Sequence, residues 1–290
     1  MRFAIASYDR YLGVFEAFCQ AGWVPVKLFT VPLRDAEFGN QAATIALAEQ
    51  QRAAIQLSRM SQRDVADLAA LGCDILIVAG YDWKVPQWSG HVNHAINFHP
   101  SPLPMGRGAY PLPRAILEKH SHWGVSCHRL TGDIDSGDIL AIERFEMSAE
   151  ECHESLDLRT QMAARRLAGH VARDFDALWR ASTPQGPGEV WPKITLADKL
   201  VDFKTPVDDL LRHFRAYGRT GTIANIGDAW YIVKRVVGWQ EGHQFSPGAV
   251  AHRYGRALVV AAADGFIAIL DSERIPPEVA IQIAANSRKP

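Results

Sequence analysis

Cysteine is scarce in this chain, with four among 290 residues, at positions 19, 73, 127 and 152. No two form a Cys-x-x-Cys pair, so neither a disulfide framework nor a zinc ribbon fits, and reduced, buried thiols are expected. A charge surplus of one sign is also missing. The 31 basic and 32 acidic side chains leave a formal net charge of −1, which excludes a globally basic nucleic-acid binder and leaves open only a local patch. No apolar run approaches the roughly 18 residues of a membrane span. The opening Met1-Arg2-Phe3-Ala4-Ile5-Ala6 runs straight into a strand pattern without a signal-peptide cleavage region. These absences point to a cytoplasmic protein with no membrane partner. There is no phosphate-binding loop, dinucleotide fingerprint or Gly-x-Ser-x-Gly elbow. What is present is an ordinary globular composition, 48% hydrophobic and 22% charged, at a length that favours two domains.

Apolar runs at 3–7, 24–30, 73–79, 94–99 and 124–130 alternate with segments of helical spacing at 11–21, 41–57, 62–71, 110–119 and 153–180. Runs that do not alternate suit parallel strands buried on both faces. The alternation of strand and helix predicts an α/β fold, doubly wound on a mostly parallel sheet, over residues 1–181. Gly22 is placed to end the first helix. Ligands in such sheets bind beyond the carboxyl ends of the strands, which would gather Gly80-Tyr81, residues 97–104 and residues 131–135. After Arg180 the composition shifts, and Ser182-Thr-Pro-Gln-Gly-Pro-Gly reads as a linker over 182–192. Residues 193–290 then show a helix over 206–217 and short strands at 222–226, 229–237, 248–253, 257–261 and 266–270. Their Gly-Asp, Pro-Gly and Asp-Gly turns predict a small β-barrel or sandwich.

Chemistry concentrates in two segments. Asn97 and His99 sit two apart on a strand, so both side chains point to one face. Pro100, Pro102 and Pro104 stiffen the loop that follows, and Gly106 and Gly108 permit close approach. One histidine among eleven is ordinary by itself; its setting beside an amide and a stiff loop is not. Asp133, Asp135 and Asp138 surround two glycines in one short turn. That turn reads either as a solvated acidic turn or as a carboxylate delivered to His99, and it lacks the ligand series of a calcium loop. His91 and His94 would point to opposite faces of a strand, so no metal site is expected there. An imidazole to move protons, a carboxylate to fix its charge and an amide to steady an oxyanion are parts for moving an acyl group onto an amine.

Ile96-Asn-Phe-His-Pro-Ser-Pro-Leu-Pro-Met-Gly-Arg-Gly108, followed by Asp135-Ser-Gly-Asp-Ile-Leu140, resembles the signature of folate-dependent formyltransferases. That superfamily includes enzymes acting on methionyl-tRNA, on phosphoribosylglycinamide and on sugar amines. Asp74-Ile-Leu-Ile-Val-Ala-Gly-Tyr81 upstream, and Trp191-Pro-Lys-Ile and Pro247-Gly-Ala-Val downstream, extend the resemblance over most of the chain. It implies an OB-like C-terminal barrel and a catalytic trio of Asn97, His99 and Asp135, with Asp135 orienting His99 and raising its pKa. It implies 10-formyltetrahydrofolate as formyl donor, held near Val78, Ala79, Gly80, Tyr81 and Asp82 and near Thr131, Gly132, Asp133 and Ile134. The acceptor would run along Ser101, Pro102, Met105, Arg107 and Gly108.

Two departures bear on the acceptor. The tRNA enzyme carries a basic, Gly-rich insertion after its second strand, whereas residues 30–40 here hold one Arg and two acidic residues. Gly218-Arg-Thr-Gly stands where a Pro-Trp-Pro-like stretch belongs. Phosphate contacts dominate RNA affinity, so a small-molecule amine, an amino sugar or an ornithine-like amine, is the expected acceptor. Formylation of charged tRNA, deformylation onto water and a non-catalytic folate-binding module are the alternatives.

Overall fold

Five consecutive buried residues make β1 (Arg2–Ser7) the centre of a sheet in the computed structural model, which describes residues 1–31, 40–276 and 278–279. Helix α1 (Leu12–Gln20) buries Val14, Phe15, Ala17 and Phe18. Gly22 ends it at φ 82°, with Gly22 N–H bonded to Cys19 O and Trp23 N–H to Phe18 O. The Phe18 and Trp23 rings close this cap at 4.8 Å. Next come β2 (Val24–Phe29), α2 (Ala42–Gln50) and β3 (Ala54–Gln56). The helix expected over 41–57 therefore stops early. Arg52 turns to φ 57°, and residues 54–56 join the sheet edge beside β2. Helix α3 (Gln62–Ala70) starts on a capping box between Ser61 and Asp64. The chain continues through β4 (Ile75–Ala79), β5 (His94–His99), β6 (Arg107–Gly108), α4 (Leu112–Leu117) and β7 (His122–Arg129). Then follow β8 (Ile139–Glu146), α5 (His153–Arg180) and β9 (Val190–Trp191). The segment of β8 gave no strand signal in the sequence reading.

The seven-stranded sheet has the order β3-β2-β1-β4-β5-β7-β8, parallel from β3 to β5 and antiparallel at β7 and β8. This is the expected doubly wound, mostly parallel arrangement. One face packs Ile5, Ile77, Ile96, Phe98 and Cys127 against α1 and α5. The other packs Ala4, Leu76, Val78 and Ala95 against Val65 and Leu68 of α3. Asn97 and His99 alternate with Ile96 and Phe98, so they share the α3 face. There, the proline-rich loop after β5 is bonded to Ser126 of β7.

Because β7 runs against β5, its end lies beside the beginning of β5, where Leu130 N–H bonds Ala95 O (2.9 Å). The 131–134 turn thus leaves from the amino end of β5 and folds back over the sheet. It does not lie beyond the carboxyl ends as topology alone suggested.

By compactness the chain divides into two units, the first comprising Met1–Pro111, His122–Glu146 and Leu158–Trp191. The second holds Leu112–Ser121, Met147–Asp157 and the residues from Pro192 onward. Within it, α6 (Val207–Tyr217) precedes β10 (Thr222–Ile226), β11 (Ala229–Gln240), β12 (Val250–Tyr254), β13 (Ala257–Ala261) and β14 (Gly265–Arg274). These strands form an antiparallel sheet in the order β10-β11-β14-β13-β12. Val207, Leu210 and Phe214 of α6 pack on Ala224, Val233, Val260 and Ile267. No ladder joins β10 to β12 among the described residues.

Candidate active site

The parallel register sets Val78 beside Asn97, and the antiparallel register sets His128 opposite Asn97 and Ser126 opposite His99. Four polar side chains therefore share one patch of the α3 face. Ser126 Oγ donates to Ser101 O (2.7 Å) and accepts from Leu103 N–H (2.9 Å), which anchors the proline-rich loop to β7. That loop returns the Gly106 carbonyl to His99, whose Nε2 lies 2.7 Å away and so carries a proton.

Asp135 reaches the patch from the turn between β7 and β8. Its backbone is left-handed (φ 47°), a conformation Asp tolerates better than most residues. Oδ1 accepts from Asn97 Nδ2 (3.1 Å) and Oδ2 from Gly108 N–H (2.9 Å). His99 Nδ1 stands 3.5 Å from Oδ2, and His128 Nε2 stands 3.5 Å from Oδ1. The structure thus brings Asn97, His99 and Asp135 together, although their sequence separation gives no such guarantee.

His128 escaped the sequence reading. It is 1% exposed, and its Nδ1 lies 2.8 Å from Arg129 O, so Nδ1 carries the proton and Nε2 offers a lone pair. Asn97 Nδ2, 3.1 Å from that lone pair, donates to it. Both amide hydrogens of Asn97 are therefore engaged, one by Asp135 and one by His128. Ser126 and His128 as alternate polar positions in an apolar strand were the available signal.

Burial pushes the Asp135 carboxyl upward. The His128 contact, the His99 charge and the Gly108 N–H outweigh it and bring the group down to about 2. His99 moves against the expectation. Burial lowers its pKa below the usual imidazole value, and the opposing pulls of Asp135 and the Gly106 carbonyl do not restore it. A neutral ring that two neighbours favour once protonated is suited to accepting a proton transiently at Nδ1.

The remaining candidate residues divide by accessibility. Val78 and Ala79 are buried in the core on opposite faces of the sheet. Gly80 takes φ 80°, and a Cβ there would run into the Tyr11 ring, which packs the Gly80-Tyr81-Asp82 turn tightly against β1. Tyr81 OH accepts from Met60 N–H (2.8 Å). Thr131, Gly132, Asp133 and Ile134 are exposed, Ile134 to 61%, and leave apolar and polar surface for a ligand. Ser101 and Pro102 are buried, and Ser101 Oγ donates to Met105 O (2.7 Å); both build the loop instead of lining it. Met105 is exposed, and Gly108 reaches the site through its N–H.

Arg107 turns away from the patch. Its Nε and Nη2 donate to Gln185 Oε1 (3.0 and 2.8 Å), with further bonds to Gly186 O and Gly188 O. Gln185 lies in the stretch expected as a linker, where β9 pairs with β6 and Thr183 bridges to Ile139. The loop expected to lack the basic insertion, residues 32–39, lies outside the described residues. Among the described residues no cluster of His, Cys, Asp and Glu could hold a metal ion, and no helix is long and apolar enough to cross a membrane.

A family model described as "Formyl transferase" matches residues 33–171. The methionyl-tRNA formyltransferase of Pseudothermotoga lettingae is 28% identical over 174 residues, covering 60% of this chain and 58% of that enzyme. Among solved structures, HypX from Aquifex aeolicus in complex with tetrahydrofolic acid superposes at TM-score 0.66 with 18% identity. It covers 97% of this chain, which spans 47% of HypX. An N-formyltransferase from Helicobacter canadensis in complex with folinic acid and dTDP-3-aminofucose superposes at 0.64 with 13% identity, covering 94% and 99% of the two chains.

Proposed function

We propose that this chain, matched by a formyl transferase family model over residues 33–171, transfers a formyl group from 10-formyltetrahydrofolate to the primary amine of a small molecule. The observation that carries this reading is the convergence of Asp135 on Asn97 and the buried His99 in one half-buried patch. The bound donor supplies an activated formyl carbon and a leaving nitrogen. The half-buried turn at Gly80–Asp82 and the exposed turn at Thr131–Ile134 are the surfaces that would hold it.

In the transfer, the amine nitrogen bonds to the formyl carbon while the bond from that carbon to the donor nitrogen breaks. His99 Nδ1 takes the proton lost by the amine, because Nε2–H stays on the Gly106 carbonyl. Asp135, 3.5 Å away, stabilises the imidazolium until the proton passes to the departing nitrogen. General acid–base action of this kind contributes roughly 10²–10⁴ in rate. Asn97 steadies the developing oxyanion with the N–H it otherwise gives to neutral His128, since the other N–H remains on Asp135. One donor of this type contributes about 3 kcal/mol to the barrier.

The acceptor reading follows a chain matched end to end by an enzyme solved with dTDP-3-aminofucose, and an amino sugar leads on that ground. Formylation of methionyl-tRNA is the second reading, favoured by the names of the sequence relatives.

A panel of dTDP-amino sugars, small basic amines and charged initiator tRNA, each with 10-formyltetrahydrofolate, tests both. Formylated sugar or amine, identified by mass, supports the first reading. Formylated tRNA alone replaces it with the second. Tetrahydrofolate and formate released at full rate without any amine would turn the reading to deformylation.

A further inference from the structure

We propose that Gln185 is a positioning residue for Asp135 and that Arg107 serves it instead of touching the acceptor. The kinetic part of this inference rests on the formyl-transfer reading above.

Gln185 Nε2 donates to the carbonyls of Asp135 (2.9 Å) and Gly137 (2.7 Å), which flank Ser136 in the turn that presents the carboxylate. Asp135 is the left-handed residue of that turn, and a left-handed non-glycine residue persists only where its surroundings hold it. Gly137 cannot adjust by gaining a side chain, because a Cβ there would overlap the Arg129 carbonyl oxygen. The carboxamide therefore satisfies two turn carbonyls at once from outside the turn.

Its orientation is fixed in return. Oε1 accepts from both Nε and Nη2 of Arg107, so the amide cannot rotate without placing its NH2 against a guanidinium. Arg107 sits between Gly106, whose carbonyl accepts from His99, and Gly108, whose N–H donates to Asp135. A closed ring results, running from His99 through residues 106–108, Arg107, Gln185 and the Asp135 turn back to His99. With its Nη groups also on Gly186 O and Gly188 O, the guanidinium is committed to this ring. Arginine forks are suited to such planar bridging, and a lysine could not hold the carboxamide from two sides.

The test uses the full chain carrying Gln185→Leu, and separately Arg107→Gln, which keeps Gln185 and its two carbonyl bonds available should the first variant fold poorly. In the ligand-free protein, the His99 imidazole is titrated by NMR. The groups facing it are Asp135, His128 and the Gly106 carbonyl. Once the Asp135 turn relaxes, its charge leaves His99, and the His99 midpoint falls by about one pH unit. An unmoved midpoint in both folded variants overturns the proposal, whatever the activity.

With the acceptor amine found by the panel, kcat falls by roughly 10²-fold in Gln185→Leu and in the same direction in Arg107→Gln, while the acceptor KM holds. A raised acceptor KM at unchanged kcat in Arg107→Gln would assign Arg107 to the acceptor and overturn its part. If the wild-type protein formylates nothing, the transfer reading fails and the titration still decides the positioning role.

Discussion

Asn97 and His128 face each other across neighbouring antiparallel strands, with Nδ2 3.1 Å from Nε2, and each fixes the other's orientation. The backbone carbonyl of Arg129 sets the tautomer of His128, the ring then accepts from Asn97, and the amide's second hydrogen falls on Asp135.

Replacing His128 with Phe keeps the ring's bulk and removes the acceptor. The half-buried Asn97 N–H then loses its acceptor, so urea unfolding should show a loss of about 0.5–1.5 kcal/mol. The freed amide also loses its fixed direction, and kcat should fall with little change in donor affinity. Stability equal to wild type would show that the contact holds nothing.

Asp135 makes stability depend on acid. Its folded carboxyl lies at about 2, against an ordinary 3.8. A depressed carboxyl contributes stability that is complete above the ordinary value and disappears as pH falls through the folded one. The contribution is on the order of 2 kcal/mol, lost between about pH 4 and about pH 2. Urea midpoints across that window should fall more steeply for wild type than for Asp135→Asn. Parallel curves would refute the assignment.

In the proposed transfer, His99 sets the acid limb of turnover. Its pKa is below 6.5 because it is buried, so the neutral ring that accepts the proton persists to lower pH than a free imidazole would. The pH profile of kcat/KM should therefore break below 6.5, and His99→Ala should lose roughly 10²–10⁴ in kcat while still binding folinic acid. A break above 6.5 contradicts the environment described.

Gly137 and Gly132 flank the same turn with opposite tolerances. A Cβ on Gly137 would overlap the Arg129 carbonyl, whereas one on Gly132 meets nothing within 4 Å. Gly137→Ala should lose about 1–3 kcal/mol and displace the carboxylate, measured by thermal unfolding and by kcat. Gly132→Ala should match wild type in thermal unfolding.

The convergence of Asn97, His99 and Asp135 was legible because their residue types and stiff loop form a specific pattern, and the parallel strands β1, β2, β4 and β5 were legible because buried strands read as continuous apolar runs. Strand direction left no such mark. That β7 runs against β5 is what sets His128 opposite Asn97 and sends the 131–134 turn off from the far end of β5. β8 alternates too irregularly between buried and exposed residues to declare itself. Gln185 lies among prolines and glycines that read as a tether, and only folding shows that this stretch forms β9 and clasps the site. The motif places Ser101 and Arg107 together but leaves no mark of their partners, which are Met105 O for Ser101 and Gln185 for Arg107.

The loop bonded over β5 and β7 has a consequence for how the molecule comes apart. On the opposite face, α1 and α5 seal the sheet with hydrocarbon. Over the trio, closure depends on bonds from Ser126, Asp135 and Gln185 to loop backbone, and such bonds exchange readily for water. Amide hydrogen exchange should divide the sheet accordingly, with the hydrated seam opening well below the free energy of global unfolding. Breathing would then be concentrated where reactants must enter, and the oily face would keep the strands in register while they do.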